Sequence, residues 1–128
     1  MKLLLDTHIW LWSLREPQLL GKRVRRELQE PANQLWLSPI SVWEALALHR
    51  KGRIALHTNV EDWVSGATAS LREAPLTYEI VVAAESLSLH GDPADRFLAG
   101  TAKVLGLTLV TADQKLLGLG DIATLSNR

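Results

Sequence analysis

Hydrophobic and polar residues change their spacing along the chain, and each spacing predicts one kind of element. Short apolar runs, typical of buried strands, lie at residues 2–5, 34–37, 76–78, 107–110 and 122–125. Apolar positions three and four apart predict amphipathic helices between them, at residues 9–14, 22–29, 39–50, 60–72, 80–89 and 93–105. Strands that alternate with helices predict an α/β fold with a mainly parallel sheet and helices on both faces.

Two of these helices carry clear start signals. Ser38-Pro39 and Asp92-Pro93 each place a capping side chain directly before a proline, and proline is well suited to the first position of a helix. Gly106 follows the second of these helices and is expected to end it. These helices are therefore predicted to begin at Pro39 and Pro93.

The composition favours one small domain over residues 1–128. Hydrophobic residues make up 47% of the chain, which is enough for a core. The absence of cysteine excludes disulfides, thiolate zinc sites and a cysteine nucleophile, and it suits a reducing compartment. No apolar stretch is long enough to span a bilayer, and Asp6 interrupts the apolar start too early for a signal peptide. We therefore predict a cytoplasmic protein with no membrane partner.

The charge balance leaves the question of a nucleic-acid partner open. Fourteen basic and fourteen acidic residues give a net charge of zero, which argues against a general nucleic-acid binder. The basic residues nevertheless form two clusters: Lys22, Arg23, Arg25 and Arg26 in one segment, and Arg50, Lys51 and Arg53 in another. Each cluster is equally consistent with an RNA-binding patch and with an ordinary solvated helix face.

Four acidic residues follow or flank the predicted strands in a way that brings them to one edge of the sheet. Asp6 comes directly after the first strand, and Asp113 follows a later one. Glu44 and Asp95 lie early in the helices that begin at the two proline signals. Because strand carboxyl ends and the starts of the following helices share one edge of a parallel sheet, we expect these carboxylates to converge.

Converging carboxylates raise one another's pKa unless a cation neutralises them. Oxygen ligands alone favour Mg²⁺ or Mn²⁺ over Zn²⁺, and such ions support phosphodiester hydrolysis. Ordinary structural roles remain open for each residue: a turn residue for Asp6 and Asp113, an acid favoured by the helix dipole for Glu44, and an acceptor for free backbone N–H groups of its helix for Asp95. Asp92 is interpreted mainly as a helix cap.

Four segments resemble the sequence motifs of the PIN-domain family. They are residues 4–8 (LLDTH), 41–45 (SVWEA), 92–102 (DPADRFLAGTA) and 109–113 (LVTAD). The resemblance covers the chain almost end to end, with the motifs in the family's order. The third segment is most similar to the VapC toxins of bacterial toxin–antitoxin pairs. Gly100 departs from the family pattern, because related sequences often carry a larger residue there, and it is expected to allow close packing against the sheet.

The resemblance implies a three-layer α/β/α sandwich and a metal-dependent endoribonuclease that cleaves structured RNA, such as transfer RNA, by metal-activated water. It implies that Mg²⁺ or Mn²⁺ is held by four catalytic carboxylates, those of Asp6, Glu44, Asp95 and Asp113. It also implies that the hydroxyls of Thr111 and Thr7 help to order this site. The partners it implies are a small cognate antitoxin protein and a second copy of the chain in a homodimer.

Other residues and functions remain open. Arg96 is interpreted as the partner of an acidic side chain, with a phosphate contact as the alternative. Trp36 and Trp43 are predicted to be core residues, whereas Trp10 and Trp12 cannot both face the same core because they lie two positions apart on one predicted helix. The alternative function is a PIN-like module that binds RNA or protein without cutting. A phosphatase with an aspartate nucleophile is disfavoured, because the D-x-D pattern is missing at Asp6.

Overall fold

The computed structural model describes residues 1–88 and 91–128, and within them the sheet has five parallel strands. The strands are β1 Lys2–Leu5, β2 Gln34–Leu37, β3 Arg72–Glu73, β4 Thr108–Thr111 and β5 Thr124–Ser126. Their spatial order in the sheet is β3-β2-β1-β4-β5. The helices are α1 Thr7–Arg15, α2 Lys22–Gln29, α3 Pro39–Arg50, α4 Val60–Ala67, α5 Tyr78–Glu85, α6 Pro93–Leu105 and α7 Gln114–Leu117, with a 3₁₀ turn at Pro17–Leu19.

Side chains of β1 alternate between two hydrophobic cores, one on each face of the sheet. Leu3 and Leu5 pack with buried residues of α1 and α2, including Trp10 and Val24. Leu4 points to the other face and packs with buried residues of α6, Leu98 among them. Because β1 is central and covered on both sides, it consists of consecutive apolar residues rather than an alternating pattern. The predicted α/β/α sandwich is therefore confirmed.

The predicted helix starts are confirmed in detail. Ser38 accepts a hydrogen bond from the backbone of Ile40 over 3.1 Å, and Asp92 accepts one from Ala94 over 2.9 Å. Gly106 has φ +66°, the left-handed conformation that glycine adopts at low cost after a helix. Both helices begin on the side of the sheet where the parallel strands end.

The prediction for residues 60–78 is wrong in two places. The helix ends at Ala67 rather than at residue 72. Directly after Ala67, the hydroxyl of Thr68 donates a hydrogen bond to the carbonyl of Val64 over 2.7 Å. The strand lies at Arg72–Glu73, paired with β2, rather than at residues 76–78. Pro75 has no backbone N–H to donate, so the strand pairing does not continue past it.

The segment after Pro75 forms a helix, and the other element ends shift slightly. Thr77 accepts a hydrogen bond from the backbone of Ile80 over 3.3 Å and begins α5, which ends at Glu85. Leu89, the predicted end of this helix, lies outside the described residues, as does His90. The strands predicted at 107–110 and 122–125 are each displaced towards the C-terminus, and α7 is an additional helix.

Within residues 1–88 and 91–128, no helix is both long enough and apolar enough to cross a membrane.

Candidate active site

Asp6 lies where the central strands β1 and β4 end. The Asp6 backbone N–H donates to Val110 over 3.0 Å, which fixes the end of β1 against β4. The Thr111 hydroxyl donates to Asp6 Oδ2 over 2.6 Å, and the Thr7 backbone N–H donates to Asp6 Oδ1 over 2.8 Å. Both carboxylate oxygens of this buried residue therefore have donors, so Asp6 has one defined orientation.

Glu44 is held by a second hydroxyl network, between α1 and α3. The Thr7 hydroxyl donates to Glu44 Oε1, and Thr7 Oγ1 lies 2.8 Å from Ser41 Oγ. Because a threonine hydroxyl carries one proton, the fully buried Ser41 hydroxyl is the donor in the second contact. Ser41 was not predicted from the sequence as a site residue. Its place one helical turn before Glu44 was the available signal, since residues three apart share a helix face.

The remaining acidic residues flank the starts of α6 and α7. Asp92 is the N-cap of α6, as expected, and Asp113 is the N-cap of α7, where it accepts a hydrogen bond from the backbone of Lys115 over 2.9 Å. The Asp113 backbone in turn donates to the Thr111 hydroxyl over 3.0 Å. Asp95 lies in the first turn of α6, and no hydrogen bond to its carboxylate is found in the part of the chain that the structure describes.

These side chains border one cavity of about 380 Å³, here called the acidic cavity. Its lining residues are Asp6, His8, Trp12, Glu44, Asp92, Asp95, Ala112 and Asp113. The four carboxylates predicted to converge are therefore neighbours in space, and the capping residue Asp92 is a fifth.

Burial and neighbouring like charges raise the pKa of three carboxyl groups around the acidic cavity, those of Asp6, Glu44 and Asp95. Burial, followed by the charges of Asp6, Asp113, Asp92 and Glu44, raises the pKa of Asp95 to about 7. Burial also raises the pKa of Asp6 and of Glu44, against the opposing hydrogen bonds from Thr111 and Thr7. The Asp95 carboxylate accepts no hydrogen bond among the described residues and is surrounded by negative charge. Binding of either a proton or a cation is therefore favoured at Asp95.

The donor set fits a hard divalent cation bound mostly through water. All the acidic ligands are oxygen donors, which suits Mg²⁺ and Mn²⁺. Among residues 1–88 and 91–128, no three acidic or histidine side chains are arranged to hold one metal ion directly. An ion that keeps several waters and binds one or two carboxylates, as Mg²⁺ commonly does, requires no such all-protein cage.

A profile of the PIN domain family matches residues 3–121. The chain belongs to the PIN-domain family. The predicted resemblance to VapC proteins is also confirmed, because the chain is 35% identical over 115 residues to Ribonuclease VapC22 of Mycobacterium tuberculosis, with 88% of each chain covered.

Solved structures agree with this PIN-domain fold. The DNA-bound VapBC of Salmonella typhimurium superposes with a TM-score of 0.76 at 16% identity, covering 100% of this chain and 99% of the other. VapBC2 of Rickettsia felis, bound to a fragment of its promoter DNA, superposes with a TM-score of 0.72 at 15% identity, covering 98% of both chains. At such low identity these two likenesses show the fold alone.

Arg96 of this PIN domain does not form the ion pair expected from the sequence. Its guanidinium group donates to the carbonyl of Ala84 over 3.1 and 3.2 Å and to the carbonyl of Glu85 over 2.9 Å. These are carbonyls at the end of α5, where a helix lacks internal donors and favours positive charge. Arg96 therefore joins α6 to α5. The predicted ion pair with an acidic side chain is not found among the described residues, where Lys103–Asp121 is the single ion pair.

One of the tryptophans does not lie where the sequence predicted. Trp43 is 59% exposed, so its predicted core position is wrong; the guanidinium of Arg50 lies 4.7 Å from the centre of its ring. Trp36 is only partly buried. Trp10 is fully buried and donates to the carbonyl of Ala67 over 3.1 Å, whereas Trp12 is half-buried and borders the acidic cavity. The two tryptophans of α1 therefore have different surroundings, as their spacing required.

Proposed function

We propose that this chain is a divalent-metal-dependent endoribonuclease and the toxin of a toxin–antitoxin pair. The observation that carries the proposal is the acidic cavity, where carboxylates from three separate helix starts and one strand end meet. The 35% identical relative named as a ribonuclease supports the same activity. A phosphodiester is the substrate class to which such an oxygen-ligand site is suited.

The proposed ligands of Mg²⁺ or Mn²⁺ are the carboxylates of Asp6, Glu44, Asp95 and Asp113. A bound divalent cation would lower the pKa of water and offset the negative charge that develops on the phosphate. The chain supplies orientation: Thr111 and the Thr7 backbone hold Asp6, and the Thr7 hydroxyl holds Glu44. Asp92 contributes negative charge while it caps α6.

Asp95 is the residue in this set whose charge depends most on its neighbours. With a pKa of about 7, the carboxyl group of Asp95 is partly protonated and partly ionised at neutral pH. Cation binding and proton binding are therefore alternatives at Asp95, since each relieves the same repulsion. This competition makes the activity rise with pH across the neutral range.

The proposed partners follow from the family. Complexes of VapB with VapC are among the structural neighbours, which supports a small antitoxin protein as the regulator of this chain. A structured RNA such as transfer RNA is the proposed substrate, and a homodimer is the proposed assembly, both on the strength of the family resemblance. Light scattering of the purified protein measures the assembly directly.

The activity is tested by incubating total cellular RNA with the purified protein in Mg²⁺ or Mn²⁺, against EDTA. Asp6→Asn and Asp95→Asn remove charge from the acidic cavity with little change in shape. Asp121→Asn is the matched control, because Asp121 is an exposed carboxylate paired with Lys103 outside the cavity. All variants are purified identically, so a contaminating nuclease would appear equally in each.

Discrete metal-dependent products from the wild type and Asp121→Asn, absent with both cavity variants, are the expected result. Folded, antitoxin-free protein that binds RNA but gives no products with either metal would instead establish a non-catalytic binding module. Cleavage of a small phosphate ester but not RNA would place the chain among phosphatases.

A further inference from the structure

The acidic cavity has one wall that is not acidic. Trp12 and His8, both on α1, form this wall, here called the aromatic wall. They are four residues apart, so they lie on the same side of the helix, one turn from each other. The ring centroids are 5.9 Å apart and the planes are tilted by 58°. The tilt means that neither ring is stacked face to face on the other.

The remainder of the cavity offers little that attracts an anionic chain. Among the described lining residues, His8 is the one basic group, and five of the others are aspartate or glutamate. A cation would attract a phosphate only at the point where it binds. Affinity for the parts of a nucleic acid that lie within this cavity must therefore come from contacts that do not depend on positive charge.

Trp12 has the position and the packing that such a contact requires. It is partly buried and packs against the core cluster that contains Trp10 and Leu11, so its indole is held in place rather than free to rotate. His8 is exposed beside it. A rigid aromatic ring costs little conformational entropy when it binds, and every nucleobase has a flat face that stacks on it.

We propose that the aromatic wall is a nucleobase-binding subsite, in which Trp12 stacks on a base next to the scissile phosphate and His8 borders the same base. The cavity of about 380 Å³ is large enough for a base beside the acidic residues. Because each base offers a stacking face, the subsite positions single-stranded RNA without selecting one base. This inference rests on the proposed ribonuclease function for the meaning of the subsite, but not for its binding test.

The test compares Trp12→Leu with Trp12→Phe and Trp43→Leu. Leucine keeps apolar packing under the wall but removes the ring, whereas phenylalanine keeps a ring. Trp43 is the matched control, since it is an exposed tryptophan on α3 that does not line the acidic cavity. Thermal unfolding of each variant verifies that the fold is retained, and His8→Ala provides a second variant at an exposed position.

The probes are a short fluorescent oligoadenylate and an abasic ribose-phosphate chain of the same length. Binding is measured by anisotropy with Ca²⁺ in place of Mg²⁺, over a range of salt concentrations. Trp12→Leu is expected to raise the Kd for oligoadenylate about tenfold and to leave the Kd for the abasic chain unchanged. The salt dependence should stay the same, because stacking releases no counterions. Trp12→Phe should lose less, and Trp43→Leu nothing.

Cleavage of oligoadenylate with Mg²⁺ separates this inference from the proposed function. A KM raised about tenfold in Trp12→Leu, with kcat within a factor of about two, is the expected kinetic result. Equal KM and equal preference for adenine over the abasic chain in the wild type and Trp12→Leu would overturn the subsite, even if cleavage continued. If the wild type cleaves neither oligoadenylate nor total cellular RNA, but Trp12→Leu still binds oligoadenylate with less preference over the abasic chain than the wild type does, the ribonuclease is refuted and the subsite is supported.

Discussion

The hydroxyl of Thr111 donates a hydrogen bond to Asp6 over 2.6 Å and joins the ends of β4 and β1 across 105 positions of sequence. The same hydroxyl oxygen accepts a hydrogen bond from the backbone of Asp113. One side chain therefore orients two of the proposed metal ligands. It also opposes the burial that raises the pKa of Asp6.

Replacing Thr111 by valine keeps its shape and removes both hydrogen bonds. We expect the free energy of unfolding to fall by roughly 1–3 kcal/mol, because Asp6 and the Asp113 N–H then lose partners in a largely buried place. We also expect weaker Mg²⁺ binding, since the orientation of two ligands is lost. Urea unfolding and magnesium titration measure the two effects. Thr111→Ser keeps the hydroxyl and should resemble the wild type in both; a serine variant as impaired as valine would contradict this role.

Thr7 has a corresponding role for Glu44. Thr7→Val removes the hydroxyl that connects Glu44 to Ser41, so the Glu44 side chain is free to leave its present orientation. We expect the cleavage rate to fall roughly tenfold to a hundredfold, as is typical when a functional group is displaced by about 1 Å. Thr7→Ser is the control and should retain most of the activity. If the rates of Thr7→Val and the wild type agree, Glu44 does not depend on this hydroxyl.

The raised pKa of Asp95 makes the stability of the metal-free protein depend on pH. Its folded-state pKa of about 7 lies above the unfolded value of about 4, so the folded state binds more protons between these values. This contribution to stability is fully present below about pH 4 and is lost as the pH rises through about 7. In EDTA, the melting temperature should therefore fall between about pH 5 and 8, and the raised pKa values of Asp6 and Glu44 act in the same direction.

Two comparisons test this origin of the pH dependence. Asp95→Asn cannot ionise, so its melting temperature should change less with pH than that of the wild type. Mg²⁺ should raise the melting temperature of the wild type more at about pH 8 than at about pH 5, because protons compete with the cation at the lower pH. Identical pH profiles for the wild type and Asp95→Asn would assign the effect to other groups.

Gly100 packs against α5, so the expectation that it packs against the sheet is wrong. A Cβ at this position would lie 3.0 Å from the carbonyl oxygen of Ile80 and 3.1 Å from the backbone nitrogen of Ala84. Gly100→Ala should therefore lower the free energy of unfolding by about 1–3 kcal/mol, although alanine favours helices.

Gly66 in α4 is the matched helical glycine, since a Cβ there has nothing within 4 Å. Gly66→Ala should raise the free energy of unfolding by up to about 1 kcal/mol. Urea unfolding of both variants gives the two signs directly. A stabilising Gly100→Ala would mean that α5 and α6 can separate slightly at no cost.

Local signals in the sequence predicted much of the fold and the placement of the acidic residues. The strand Lys2–Leu5 and the helices beginning at Pro39 and Pro93 depend on residue spacing and on caps, which act between near neighbours. The carboxyl ends of parallel strands share one edge, so the sequence alone predicts that Asp6 and Asp113 lie near each other.

Only the tertiary structure decided which partners the polar side chains have. Arg96 bonds the end of α5, Ser41 lies against Thr7, and Trp43 lies at the surface beside Arg50. Each outcome depends on how one helix is rotated and placed against another, and a repeat along a single helix does not contain that information. The ends of α4 and the position of β3 were also decided by the tertiary structure. A two-residue strand such as β3 exists only through its pairing with β2.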